Sequence, residues 1–93
     1  MIAIEKEYLE RIRVVMKRRR IALSLKQSDA SRRSGINLST LRYFEQRGEI
    51  SLENLLRLMN VYGMDSRIIR CFEDMSWWSV DELKNAENKK KVR

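Results

Sequence analysis

The chain contains no proline, and its three glycines, Gly35, Gly48 and Gly63, each fall between segments of apolar periodicity, where a helix ends. No run alternates Val, Ile or Thr with polar residues in the strand period. The sequence therefore predicts an all-α fold, cut into short helices near those three points. Its 93 residues allow one core and one domain. A core of that size is marginal alone, so support from a second subunit is expected.

The first helix is expected over residues 5–23, with Tyr8, Ile12, Val15, Met16 and Arg19 on one face and Arg11, Lys17, Arg18 and Arg20 on the other. A second spans residues 26–34 and stops at Gly35. Asn37 suits the N-cap of a third, which runs to about Gln46 before Gly48. Ser51 suits the N-cap of a fourth, with Leu52, Leu55, Leu56 and Met59 facing inward, Leu58 as a further inward candidate, and Gly63 as its end. Asp65 or Ser66 opens a fifth, with Ile68, Ile69, Phe72 and Met75 as its apolar positions. Ser79-Val-Asp-Glu82 matches a capping box for one or two further turns. The polar end, from Asn85 to Arg93, is expected to be a mobile basic tail. The expected division is residues 1–75 as the main domain and 76–93 as an extension that makes a dimer or partner contact before the tail.

Charge is distributed unequally. Residues 1–47 carry 12 basic and 5 acidic side chains, whereas residues 48–93 carry 8 of each, so the whole net charge of +7 lies on the first half. That half suits a polyanion, because cationic side chains that neutralise phosphates release counterions. Two short helices hinged at Gly35, the second with a polar and basic outer face, fit a helix-turn-helix that enters a DNA major groove. Ser31 is small enough for the two helices to approach closely. Ile36, Leu41 and Phe44 would bury the third helix, leaving Leu38, Ser39, Arg42, Tyr43 and Gln46 on the open face and Thr40 at its edge.

Gln27, eight residues before Gly35, followed by an apolar residue, a cap and the run Leu41 to Glu45, resembles the phage-repressor (XRE, or Cro/CI) helix-turn-helix family. The resemblance covers about residues 11–63. It implies a lambda-repressor-like fold of five helices with the third in the major groove, here followed by a short helical extension. It further implies that Gln27 meets a phosphate, that Leu38, Ser39 and Tyr43 meet base edges, and that Arg42 meets a base or a phosphate. Leu38 departs from the polar residue common at its position in the family. Arg20 and Glu45 resemble the family's structural pair joining helices one and three.

Elementary chemistry supports the same roles. Arg42 can donate in bidentate fashion to guanine, Ser39 can donate or accept, and Leu38 offers apolar contact to a thymine methyl. Lys17, Lys26, Arg47 and helix N-terminal amides suit phosphates, with Thr40 and Gln46 as further phosphate candidates. Arg32 and Arg33 fit a solvated face as well as phosphate contacts. The segment from Phe44 to Met59, together with a short acidic-then-basic tail, is similar to HipB-like antitoxins, which are paired with HipA-like kinase toxins. That resemblance implies repression of the chain's own operon and binding to the toxin. A phage repressor or a restriction–modification controller is the nearest alternative.

Adjacent Trp77 and Trp78 cannot both bury on one face of a short helix, since neighbours point about 100° apart. One indole is expected to close the core over Ile69 and Phe72 and the other to meet a partner. Packing of both within one chain is the alternative reading. Ile69, Phe72, Trp77 and Trp78 are thus the expected dimer or partner interface, in keeping with two-fold repressors on inverted-repeat operator DNA. The Lys89-Lys90-Lys91 run suits a solvated tail, a phosphate contact or a partner site.

Other functions find little support. There is no histidine and one cysteine, which removes histidine chemistry, a cysteine metal cluster and an internal disulfide. No phosphate-binding glycine loop or nucleophile elbow is present. The expectation is no enzyme, no metal and no cofactor. A protein-interaction module and a helical RNA-binding protein are the rivals from other classes. Cys71 lies in an apolar pattern and is expected to be buried. No signal-peptide or membrane-spanning pattern opens the chain, so a cytoplasmic, nucleoid-associated protein is expected.

Overall fold

A computed structural model describes residues 3–88. The Lys89–Lys91 run and the end of the expected tail lie outside the described residues. Six helices follow in order: α1 (Ile4–Ala22), α2 (Gln27–Ser34), α3 (Leu38–Arg47), α4 (Leu52–Val61), α5 (Asp65–Glu73) and α6 (Val80–Asn88). Among the described residues there is no strand, so the chain is all-α. No helix there is long and apolar enough to cross a membrane.

Local chemistry accounts for the helix ends. The Asn37 side chain accepts from the Ser39 backbone N–H at 2.8 Å, and Ser51 Oγ accepts from the Asn54 N–H at 3.1 Å. The capping box of α6 is formed: Ser79 N–H donates to Glu82 at 2.7 Å and Glu82 N–H to Ser79 Oγ at 3.1 Å. The hydrogen bonds that Ser79 donates, its backbone N–H foremost, hold the Glu82 carboxyl below its ordinary pKa. Gly35, at φ +76°, makes the left-handed turn from α2 toward α3. Gly48 has a second constraint besides φ +80°, because an added Cβ would lie 3.3 Å from the Leu9 carbonyl oxygen. Glycine there lets α1 pass close to the end of α3.

α3 packs on α1 and α2, α2 on α4, and α4 on α5. The core consists of Met16, Leu25, Ala30, Ile36, Leu41, Phe44, Leu58, Met59 and Tyr62, with Leu55, Leu56 and Ile68 packed against it. Burying this set supplies the main favourable term. Ser31 Oγ donates to the Ile36 carbonyl at 2.5 Å, so it ties the turn as well as fitting the helix approach.

Several expectations are corrected. α1 does not bury its apolar stripe: Tyr8, Ile12 and Val15 are exposed, and of the expected face only Met16 is buried. The buried line runs instead through Met16 and Arg20, with Arg13 half-buried, one position round the helix. Arg20 thus lies on the inner face, because Glu45 of α3 offers it a carboxylate there. Arg19 is exposed and donates to the Tyr62 carbonyl at 2.9 Å, capping α4.

Leu52, expected to face inward, is 67 % exposed, while Leu58 is buried. Leu52 is the first residue of α4, directly after its Ser51 cap, and the side chains this helix buries, Leu58 and Met59, lie in its second half. Cys71 is exposed, not buried. α5 contacts the domain through Ile68, leaving Ile69 and Phe72 open, so neither indole closes a core over them. Trp77 is exposed, Trp78 is half-buried, and the two rings meet edge-to-face at 5.8 Å. Asn85–Asn88, read as part of a mobile tail, are the last turn of α6.

Candidate nucleic-acid interface

The open face of α3 is created by what the helix buries. Leu41, Phe44 and Glu45 turn inward, together with Ile36 just before the helix. Helical geometry then leaves Ser39, Arg42, Tyr43, Gln46 and Arg47 exposed, with Leu38 and Thr40 half-buried. Lys17 and Lys26 are exposed and Gln27 is half-buried. Among the described residues, the side chains of Lys17, Gln46 and Arg47 make no hydrogen bond, so these groups are available to a ligand.

A chain of polar contacts runs from the domain interior to that face. Arg20 donates to both carboxylate oxygens of Glu45, at 2.7 and 2.9 Å, and to the Leu25 carbonyl at 2.8 Å. Both side chains are buried, at 8 % and 4 % exposure. The hydrogen bond to Glu45 raises the Arg20 pKa further, so the guanidinium stays charged. Gln27 Nε2 donates to Glu45 Oε1 at 2.9 Å, and Gln27 Oε1 accepts from Arg42 Nε at 3.3 Å. Glu45 thereby fixes the orientation of the Gln27 amide, which presents its oxygen to Arg42. Arg42 keeps its terminal nitrogens for a ligand while its Nε is guided from within.

The rest of the face is also ordered. Tyr43 donates its hydroxyl to Glu49 at 3.2 Å. Ser39 donates its hydroxyl to Asn37 at 2.6 Å. At the start of α2, the Lys26 N–H donates to Asp29, which lowers the Asp29 pKa. The following first-turn N–H groups have no intrahelical partner, which suits an anion at this helix end.

Two supports were not legible in the sequence. Arg13 donates to the Glu45 main-chain carbonyl at 2.9 Å and pairs with Glu10, bracing α3 from α1. The only signal was the acidic residue three positions earlier on the same helix face. The Gln27–Arg42 contact joins residues on different helices, and nothing in local periodicity foretells it.

A family model described as helix-turn-helix matches residues 16–69. Comparison with curated proteins and with solved structures returned no match. The matched span runs from the buried Met16 of α1 into α5, and so contains the Gly35 turn, the exposed face of α3 and the Arg20–Glu45 pair beneath it. The chain belongs to the XRE-type helix-turn-helix family of DNA-binding transcription regulators.

Proposed function

We propose that the chain is a sequence-specific repressor of its own operon, acting as a two-fold dimer on an inverted-repeat operator and as the antitoxin of a HipA-like kinase. The observation that carries the repressor reading is the braced, exposed face of α3, with Arg42 guided by Gln27 and flanked by Ser39 and Tyr43. In this reading Leu38, Ser39, Arg42 and Tyr43 meet base edges. Lys17, Lys26, Gln27, Thr40, Gln46 and Arg47 meet phosphates, the last of these roles falling for Gln27 to its main-chain N–H because its side chain is engaged. Confinement of the +7 charge to residues 1–47 supports a phosphate partner for this half.

The experiment is a titration of the purified chain with DNA from upstream of its own gene, against random duplex, across a salt series. Specific binding with a steep inverse salt dependence is expected. Equal affinity for both duplexes at moderate salt removes the operator reading.

A second reading is favoured by one observation: Phe72 and Trp77 are each 76 % exposed, which suits a protein partner. Here the chain is an interaction module that inhibits a kinase, with DNA binding incidental. Co-purification of the neighbouring kinase by a chain with no operator affinity supports that reading over the first.

A further inference from the structure

The displacement of α1's apolar stripe from the core leaves a groove. Tyr8, Ile12 and Val15 of α1 face Met59 near the end of α4, Met64 at the N-cap of α5 and Ile68 within α5 around an open volume of about 460 Å³. Arg11 stands at its edge, over the Tyr8 ring. A second apolar stripe lies elsewhere in the chain. Trp77, Val80 and Leu83, spaced by three, are 76 %, 65 % and 39 % exposed, and none of the described side chains of α6 is buried.

The turn after α5 carries this segment off the domain. Asp74 is extended and accepts from the Ser76 N–H, and Trp78 N–H donates to the Met75 carbonyl. The Cα radius of gyration is 16.8 Å, against roughly 12 Å for a compact chain of this length. The accessible surface tells the same story: it is 7691 Å², against about 5,700 Å² for a folded monomer of 11.2 kDa. The surplus is on the order of 2,000 Å² per chain, more than the ~800 Å² per partner that a standard stable interface buries.

We infer that the α1–α5 groove is the receptor for α6 of a second copy of this chain, the two copies exchanging arms so that Trp77, Val80 and Leu83 of each cover Tyr8, Ile12, Val15 and Ile68 of the other. The charges agree with this seating. Asp81, next to Val80, is acidic, and the groove edge it meets carries Arg11. The arrangement deepens, and depends on, the two-fold dimer proposed above. It also keeps the α3 face clear, because neither the groove nor the arm uses a residue of that helix.

The test uses the full chain with Cys71→Ser, which removes the only native thiol. Val15→Cys and Leu83→Cys are introduced in separate preparations, then mixed and oxidised. A product of doubled mass that forms in the mixture, is far weaker in either preparation alone and reverts on reduction is the expected result. A chain carrying both substitutions that closes on itself as a fast-migrating monomer overturns the exchange, since the arm then covers its own groove. A chain that sediments as a dimer but forms no such link also overturns it, leaving the two-fold dimer standing. A chain that sediments as a monomer removes both. In parallel, Val15→Asp and Leu83→Asp are each expected to raise the dimer dissociation constant at least tenfold. An equimolar mixture should recover part of the loss, because one of its two contacts is intact. No recovery counts against reciprocal seating.

Discussion

Glu45→Gln tests the interior of the α3 platform most directly. In the native chain Arg20 reaches both Glu45 oxygens at 2.7 and 2.9 Å, with both side chains out of water. The substitution keeps the volume but removes the charge and turns an amide donor toward a guanidinium. Removing one partner of a buried pair costs about 3–5 kcal/mol, because the other charge remains buried without compensation. Against a total stability of about 5–15 kcal/mol, this is a large share. At about 4–8 °C per kcal/mol for a domain of this size, Tm should fall by at least about 12 °C. Thermal melts followed by far-ultraviolet circular dichroism measure it.

The double variant Arg20→Met/Glu45→Leu removes both charges and should recover most of the loss. A residual cost of about 1–3 kcal/mol is expected, because the Leu25 carbonyl and the Gln27 amide lose their partners. The native pair should also be insensitive to salt, since buried charges are weakly screened. A loss below about 1 kcal/mol for Glu45→Gln would refute the reasoning, for that is the behaviour of an exposed pair.

Other outcomes follow from the same geometry. Arg42→Ala should relax preference at one operator position, costing about 1–3 kcal/mol on the preferred site, whereas Lys17→Ala should weaken binding to all duplexes alike and lower the salt slope by about 1. Anisotropy titrations on operator variants separate the two, and a uniform loss for both removes Arg42 from base reading. Tyr62 is buried and its hydroxyl has no partner among the described residues, and burial pushes its pKa up to about 12 from 10.0. The neutral phenol therefore contributes stability that is complete below pH 10 and is lost as pH rises through about 12, a loss on the order of a few kcal/mol. In urea denaturation, Tyr62→Phe should match or exceed the native stability at neutral pH and lack this alkaline loss; an unchanged alkaline profile would assign it elsewhere. Gly48→Ala forces a side chain into the left-handed region, at about 1–2 kcal/mol, and against the Leu9 carbonyl, so a melt unchanged from the native chain would contradict the close approach.

Much of the local structure was legible because its causes are local. The Gly35 stop, the Asn37 and Ser51 caps and the Ser79–Glu82 capping box depend on a few adjacent residues, and each lies where the sequence indicates. The inward set of α3 followed from helical spacing alone. The rotation of α1 did not. Its apolar residues promise one buried face, and the domain buries the neighbouring line because Arg20 finds Glu45 there and Arg13 finds the Glu45 carbonyl. The expectation of a buried Cys71 failed for a related reason: an apolar helix pattern shows that a face wants covering but not which chain covers it.

By itself, then, the sequence determined a proline-free chain of short capped helices, a turn at Gly35, an exposed basic third helix and a one-sided charge. Those properties arise from backbone geometry and side-chain charge, which neighbours in sequence share. Only the tertiary structure decided that α1 turns its Arg13, Met16 and Arg20 line inward instead of its apolar stripe, that Glu45 and Gln27 connect Arg20 to Arg42, and that two apolar stripes remain uncovered. Each of these depends on which helix lies opposite, and that is set by packing the whole core at once.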